Sequence, residues 1–224
     1  MGGARLMTVS VVVCQDLREL GAATLERLRG PVCAVSGGST YEALFRHWSG
    51  PALQGVSFIP VDERMVGLSE AGSNWMVAIR LLLDPNALGD QALHWTPTAS
   101  HLDTLVHRLV PENVGRIPSI GQVWLGMGDD GHTASLFPNG PELSDTTSLA
   151  LETVAPKAPH PRVTLGLGAL RAAQDLCVVV TGAAKGPMLR RVLDGDTSLP
   201  LALVLQDRDA TLFVDADCAK AAGI

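Results

Sequence analysis

The sequence predicts an α/β protein with a mostly parallel sheet and helices on both faces, a Rossmann-like three-layer sandwich. Three observations predict it. Short apolar runs rich in β-branched residues alternate with stretches of helical periodicity. Polar, glycine-bearing motifs directly follow several of those runs, and ligands gather at the carboxyl ends of parallel strands. Hydrophobic residues make up 46% of the 224 positions, and mean hydropathy is +0.22. That is enough apolar surface to cover a sheet on both faces around one core. No internal repeat, low-complexity tract or linker divides the chain, so residues 1–224 are expected to form a single domain.

The elements follow in order. Residues 7–13 read as the first strand. Leu17, Leu20, Leu25 and Leu28 recur at near-helical spacing, and Gly30-Pro31 ends that helix. Residues 32–35 are a second strand, running into Ser36-Gly37-Gly38-Ser39-Thr40 and a helix over about 39–48. Residues 56–61 are a third strand ending in Asp62-Glu63-Arg64. Ser73 can cap a helix that carries Trp75 to Leu83 and that Pro85 stops. Residues 120–126 and 176–181 read as buried strands, and 162–167 as a more polar one. Residues 185–193 are the helix after the strand ending at Thr181, and residues 138–148 form the longest loop.

The bulk properties exclude several classes of function. The net charge is -6 with no cluster of Lys or Arg, which argues against nucleic acid and anionic membranes as partners. Cys14, Cys33, Cys177 and Cys218 are widely spaced and form neither a CxxC nor a Cys/His ligand pattern. Buried reduced thiols are expected, without zinc or a disulfide framework. The first residues lack a signal-peptide cleavage site, Leu6 replaces the hydroxyl residue of a myristoylation signal, and no apolar run approaches a membrane span. A soluble cytoplasmic protein is the expectation, monomeric or at most weakly dimeric.

Five motifs carry the chemistry. Ser36-Gly37-Gly38-Ser39-Thr40 is a glycine turn feeding a helix N-terminus. There the backbone can approach an anion and N–H groups can donate to phosphate oxygens, although a capped strand-to-helix turn explains it equally well. Asp62-Glu63-Arg64 offers a guanidinium fork for a phosphate or carboxylate, against the alternative of a local ion pair with Asp62 or Glu63. Lys157 and Arg162 are further cation candidates. So is Lys185, which follows a strand end and a glycine; the alternative is a solvated lysine on a first helical turn.

The densest motif runs Gly126-Met127-Gly128-Asp129-Asp130-Gly131-His132-Thr133-Ala134-Ser135-Leu136-Phe137-Pro138. Its glycines force a tight loop that gathers carboxylates and an imidazole, the side chain whose ordinary pKa best suits proton transfer near neutrality. His47, His94, His101, His107 and His160 have no such setting and read as structural or surface residues. Ser135 lies near His132 and two aspartates, which raises a serine-hydrolase alternative. No GxSxG elbow is present, however, so water is the better nucleophile.

In this order the motifs resemble the 6-phosphogluconolactonase family from about Val32 onward. The matching segments are the 36–40 loop, Asp62-Glu63-Arg64 with Ser73-Asn74, the 126–138 run, Pro156-Lys157 with Arg162-Val163-Thr164, and Gly182 with Lys185. The resemblance implies a general base at His132 supported by Asp130, and water attack on the carbonyl of a phosphorylated sugar lactone. It implies phosphate held by Arg64, Arg162, Lys185 and the Gly37, Gly38, Ser39 and Thr40 loop, with no metal or organic cofactor. Tyr41 departs from the proline that often follows this loop, and a looser loop is the expectation.

Two other classes compete. Glucosamine-6-phosphate deaminases and isomerases share the GxDGH core, but typically carry Asp-Glu-Tyr and an Asn-Glu-Pro-type segment. Here Asp62-Glu63-Arg64 and Ser135-Leu136-Phe137-Pro138 stand instead. The other is a non-catalytic sugar-phosphate sensor; many such sensors attach a DNA-binding module, for which the chain has neither room nor a basic helix.

Overall fold

The computed structural model describes residues 8–67, 70, 72–89, 95–110, 117–158 and 161–224. Met7, at the start of the first predicted strand, and His94 and His160 lie outside them. The chain opens with β1 (Val9–Cys14), α1 (Leu17–Arg27), β2 (Val32–Val35), α2 (Gly38–Phe45), β3 (Ser57–Pro60) and β4 (Asp62–Arg64). It continues through α3 (Asn74–Ala78), α4 (Ala99–Leu109), β5 (Gln122–Gly126), β6 (Ala150–Val154) and β7 (Pro161–Leu165). It closes with α5 (Leu167–Ala172), β8 (Asp175–Val180), α6 (Gly186–Leu193), α7 (Pro200–Leu205), β9 (Ala210–Asp215) and α8 (Ala216–Ala222).

Six strands form an all-parallel sheet in the order β1-β9-β8-β5-β2-β3. Every residue of β2 is buried, and β5 and β8 are buried along nearly their whole length. Side chains alternate across a strand, so burial at consecutive positions means that both faces are covered, as the three-layer expectation requires. Trp124 of β5 sits at the centre, edge-on to Trp48 at 5.2 Å and stacked on Phe213 at 5.7 Å. The indole nitrogen of Trp48 donates to the Thr24 hydroxyl at 2.9 Å, so the buried N–H is satisfied.

The order of strands locates the crevice. β2 pairs with β3 on one edge and with β5 on the other, so the chain reverses direction across the sheet at this point. The loops leaving the carboxyl ends of β2 and β5 diverge there, the position where open α/β sheets bind ligands.

A second, antiparallel sheet of order β4-β7-β6 stands beside this crevice. Asp62-Glu63-Arg64 is thus itself a strand and not simply the end of the third one. The polar run expected over 162–167 lies in this small sheet, not among the parallel strands. Three polar residues carry no strand signal of their own; pairing with residues 162–164 gives them extended structure. Val61 joins the two sheets: its N–H donates to the Val35 carbonyl at 2.9 Å, and its carbonyl accepts from Leu165 N–H at 2.8 Å. Helix α4 packs on β6 and β7.

Ser73 caps α3 as expected, accepting from Met76 N–H at 3.0 Å. The helical path does not stop before Pro85. It widens to a π turn over Ile79–Leu83 and tightens to a 3₁₀ turn over Asp84–Asn86, where Pro85 occupies an early position that needs no donor. No helix among the described residues is long and apolar enough to cross a membrane.

Candidate active site

The glycine turn after β2 is shaped by its neighbours. A Cβ at Gly37 would lie 2.1 Å from Asn74 Cγ, so only glycine lets the α3 side chain close over the turn. Gly38 has φ +83°, in the left-handed region that glycine occupies at no steric cost. The Thr40 hydroxyl meets that of Thr181 at 3.2 Å, joining this turn to the end of β8. Tyr41 fastens the turn instead of loosening it: its ring is buried, and its hydroxyl donates to the Leu125 carbonyl at 3.1 Å.

The loop after β5 builds the acid–base pair. Gly128 N–H donates to the His132 carbonyl at 2.9 Å, and Gly131 N–H to the Gly128 carbonyl at 3.1 Å. The Thr133 hydroxyl ties the loop back to the Gly126 carbonyl at 2.8 Å. Gly131 takes φ +81°, and a Cβ at Gly128 would come within 2.0 Å of the His132 ring. The imidazole therefore lies flat against position 128, with Phe137 on it at 5.1 Å between centroids.

His132 Nδ1 lies 2.5 Å from Asp130 Oδ1, which also accepts the His132 backbone N–H at 3.1 Å. Burial pushes the Asp130 carboxyl up, but the hydrogen bonds from His132 and the closeness of its ring outweigh this and hold it below its ordinary value. An ionised carboxylate only accepts, so Nδ1 carries the proton. Nε2 makes no hydrogen bond among the described residues. The imidazole side chain is 35% exposed, open enough to meet a substrate.

Arg64 and Arg162 are Cα partners across β4 and β7. Burial, and then the positive charge of Arg64, depress the Arg162 pKa against the opposing pull of Asp62 and Glu63. The guanidinium of Arg64 donates to the Gly72 carbonyl, and its Nε is buried with no partner. The local ion pair weighed from sequence does not form. Glu63 instead turns its carboxylate to the start of α3, accepting from Asn74 N–H at 2.8 Å, Trp75 N–H at 2.7 Å and the Ser73 hydroxyl at 2.8 Å. It also accepts Arg64 N–H at 2.7 Å. Burial still pushes Glu63 up on balance.

Lys185 sits on the 3₁₀ turn Ala183–Lys185 that leads into α6, and its ammonium donates to the Met127 carbonyl at 2.5 Å. It is therefore tied to the root of the histidine loop. Ser135 is buried; its hydroxyl donates to Asp62 at 2.6 Å, and its N–H donates to the Thr164 hydroxyl at 3.2 Å. Those contacts fix the histidine loop to the small sheet and account for the residue structurally.

All the residues put forward from the sequence line one cavity of about 560 Å³. Lys157 joins them there. Ser36, Asp62 and Asn74 also line it and were not put forward as site residues. Their signal was present, because Ser36 and Asp62 open motifs already singled out and Asn74 belongs to a segment that carries the resemblance. Ser36 Oγ is buried without a partner. Among the described residues no group of three or more His, Cys, Asp or Glu side chains is placed to hold a metal ion.

Known proteins share both fold and sequence with this chain. A 6-phosphogluconolactonase from Pseudomonas putida is 31% identical over 210 residues, covering 89% of this chain and 86% of that protein. A Caenorhabditis elegans relative is 35% identical over 170 residues, and the match spans 62% of its length. The crystal structure of 6-phosphogluconolactonase from Leishmania guyanensis superposes with a TM-score of 0.83, covering 96% of this chain and 98% of that one at 24% identity. A monomeric glucosamine-6-phosphate deaminase superposes with a TM-score of 0.72 over 95% of this chain at 17% identity. Residues 8–213 match the family described as glucosamine-6-phosphate isomerases/6-phosphogluconolactonase, and the chain belongs to that family.

Proposed function

We propose that the protein hydrolyses 6-phospho-D-glucono-1,5-lactone to 6-phospho-D-gluconate, with His132 as the general base. The observation that carries this reading is a proton inventory. Asp130 holds Nδ1–H, which leaves Nε2 as the basic nitrogen, in the same cavity as two arginines opposed in register. Nε2 takes a proton from water, and the resulting hydroxide attacks the lactone carbonyl. A backbone N–H of the glycine turns not already spent within its own loop would stabilise the oxyanion. As the ring C–O bond breaks, Nε2–H returns its proton to the departing ring oxygen. The sum is lactone plus water giving hydroxy acid, with His132 restored.

Like charges opposed across a strand pair destabilise each other, and a dianionic phosphate between Arg64 and Arg162 would relieve that repulsion. Lys185, Ser39, Thr40 and the N–H groups from Gly37 onward supply further donors. Holding the phosphate at a distance from the carbonyl lets remote binding energy orient the reacting end. The relatives that are at least 30% identical along most of their length and carry the lactonase name support this reaction over isomerisation. The chain is read with it as a single-domain cytoplasmic enzyme, monomeric or at most weakly dimeric. Its four buried, unbridged cysteines suit a reducing compartment.

The test is the hydrolysis rate of freshly generated 6-phosphoglucono-1,5-lactone above its spontaneous background. Acceleration that survives EDTA and disappears in His132→Ala is the expected result. No acceleration by folded protein, together with turnover of glucosamine 6-phosphate, would replace the lactonase reading with the isomerase one.

A further inference from the structure

We propose that Asn74 is a substrate-binding residue that reads a ring hydroxyl of the sugar, a role that rests on the lactonase reading above. The charged groups of the cavity account for the phosphate and the proton transfer. A phosphorylated sugar lactone also presents uncharged hydroxyls, each both donor and acceptor. A neutral side chain offering both a donor and an acceptor is their natural complement.

Asn74 meets this description. It lines the cavity and is only 8% exposed. Its place is fixed from three sides. Ser73 before it caps α3, and its own N–H donates to Glu63 Oε1 at 2.8 Å. Its amide lies where any side chain at Gly37 would sit. The same Glu63 oxygen accepts Arg64 N–H at 2.7 Å, so one buried carboxylate sets the backbone positions of both Arg64 and Asn74.

The amide itself is nearly unspent. Nδ2 donates only to the Asp62 carbonyl, at 3.5 Å, a long contact, and Oδ1 has no partner among the described residues. Oδ1 and the second hydrogen of Nδ2 are therefore available to a hydroxyl of a molecule bound in the cavity. Ser36, whose Oγ is buried and unpartnered, lines the same cavity beside it. Sites built to bond a hydroxyl discriminate strongly against analogues that lack it.

The experiment compares wild type and Asn74→Ala on 6-phosphoglucono-1,5-lactone and on its 2-, 3- and 4-deoxy analogues. The variant is expected to lose roughly 10- to 100-fold in kcat/KM on the parent lactone, the range for one buried hydrogen bond. For at least one deoxy lactone, wild type shows the same loss and the variant adds nothing further. Inhibition by inorganic phosphate stays unchanged, which shows an intact fold and phosphate end. Equal losses on all four lactones, or no loss on the parent, would overturn the proposal. Asn74→Ser carries the same comparison if the alanine variant fails to fold. If wild type hydrolyses none of the lactones, the lactonase reading fails by itself. The affinity of 6-phosphogluconate and its deoxy forms for wild type and variant then still decides the role of Asn74.

Discussion

Arg64 and Arg162 face each other in register across the β4–β7 pair, two cations where a strand pair would ordinarily place complementary partners. Removing either should weaken substrate binding more than turnover. Arg64→Gln and Arg162→Gln are each expected to raise KM at least roughly tenfold, as for a lost charge-assisted hydrogen bond. Each should also blunt inhibition by inorganic phosphate, with kcat changed much less. Steady-state kinetics with a phosphate titration checks this; an unchanged KM in both variants would move the phosphate elsewhere.

Asp130→Asn should lower kcat by about 10²–10⁴ with KM little changed, because an amide can donate to Nδ1 and so favour the tautomer with the proton on Nε2. The same variant has a signature in stability. The folded pKa of Asp130 lies below its ordinary value, so its contribution is full above the normal carboxylate range and vanishes as pH falls through the folded value. Asp130→Asn should therefore lose less Tm than wild type on acidification below roughly pH 4. A thermal-melt series across that range reads the difference.

Gly128→Ala should abolish most activity while leaving the phosphate end intact. The new methyl would fall within 2.0 Å of the His132 ring, which must swing away. A kcat loss of at least roughly 100-fold with retained phosphate inhibition is expected, in line with a displaced general base. Turnover near wild type would mean that the ring position is not what catalysis requires.

Ser135→Ala separates water from serine as the nucleophile. Loss of the buried 2.6 Å bond to Asp62 should cost about 1–3 kcal/mol of stability, and hydrolysis should persist. Fluorophosphonate labelling of wild type should fail. Covalent labelling at Ser135, or an inactive but folded variant, would establish an acyl-enzyme route instead.

Five of the six parallel strands and the two glycine loops were legible because their signals are local; β9 (Ala210–Asp215), between β1 and β8, was missed. An apolar run such as residues 122–126 passes directly into Gly126-Met127-Gly128, and the shift from buried strand to tight loop is written in consecutive residues. The small sheet was not legible for the opposite reason. Asp62 pairs with Thr164 and Glu152 with Val163, and a three-residue polar strand has no pattern until its partner arrives. Helix α4 was missed although its signal was local: Thr98 caps it, and Leu102, Leu105 and Val106 recur on its buried face. Within the site, charge drew attention to the arginines and the histidine. Asn74 bears no charge, and its importance depends on Gly37 and Glu63, which lie 37 and 11 residues away.

The residue that the two sheets share, Val61, gives the molecule a ruler. His132 hangs from the parallel sheet and the two arginines from the antiparallel one, and Val61 is bonded to both. On the proposed reading, the separation between the reacting carbonyl and the anionic tail of a bound molecule is gauged across Val61 and the Ser135 contacts to Asp62 and Thr164. If the proposed function holds, substrates should be sorted by span: a lactone whose phosphate stands one carbon nearer or farther than the sixth should reach only one end of the gauge at a time.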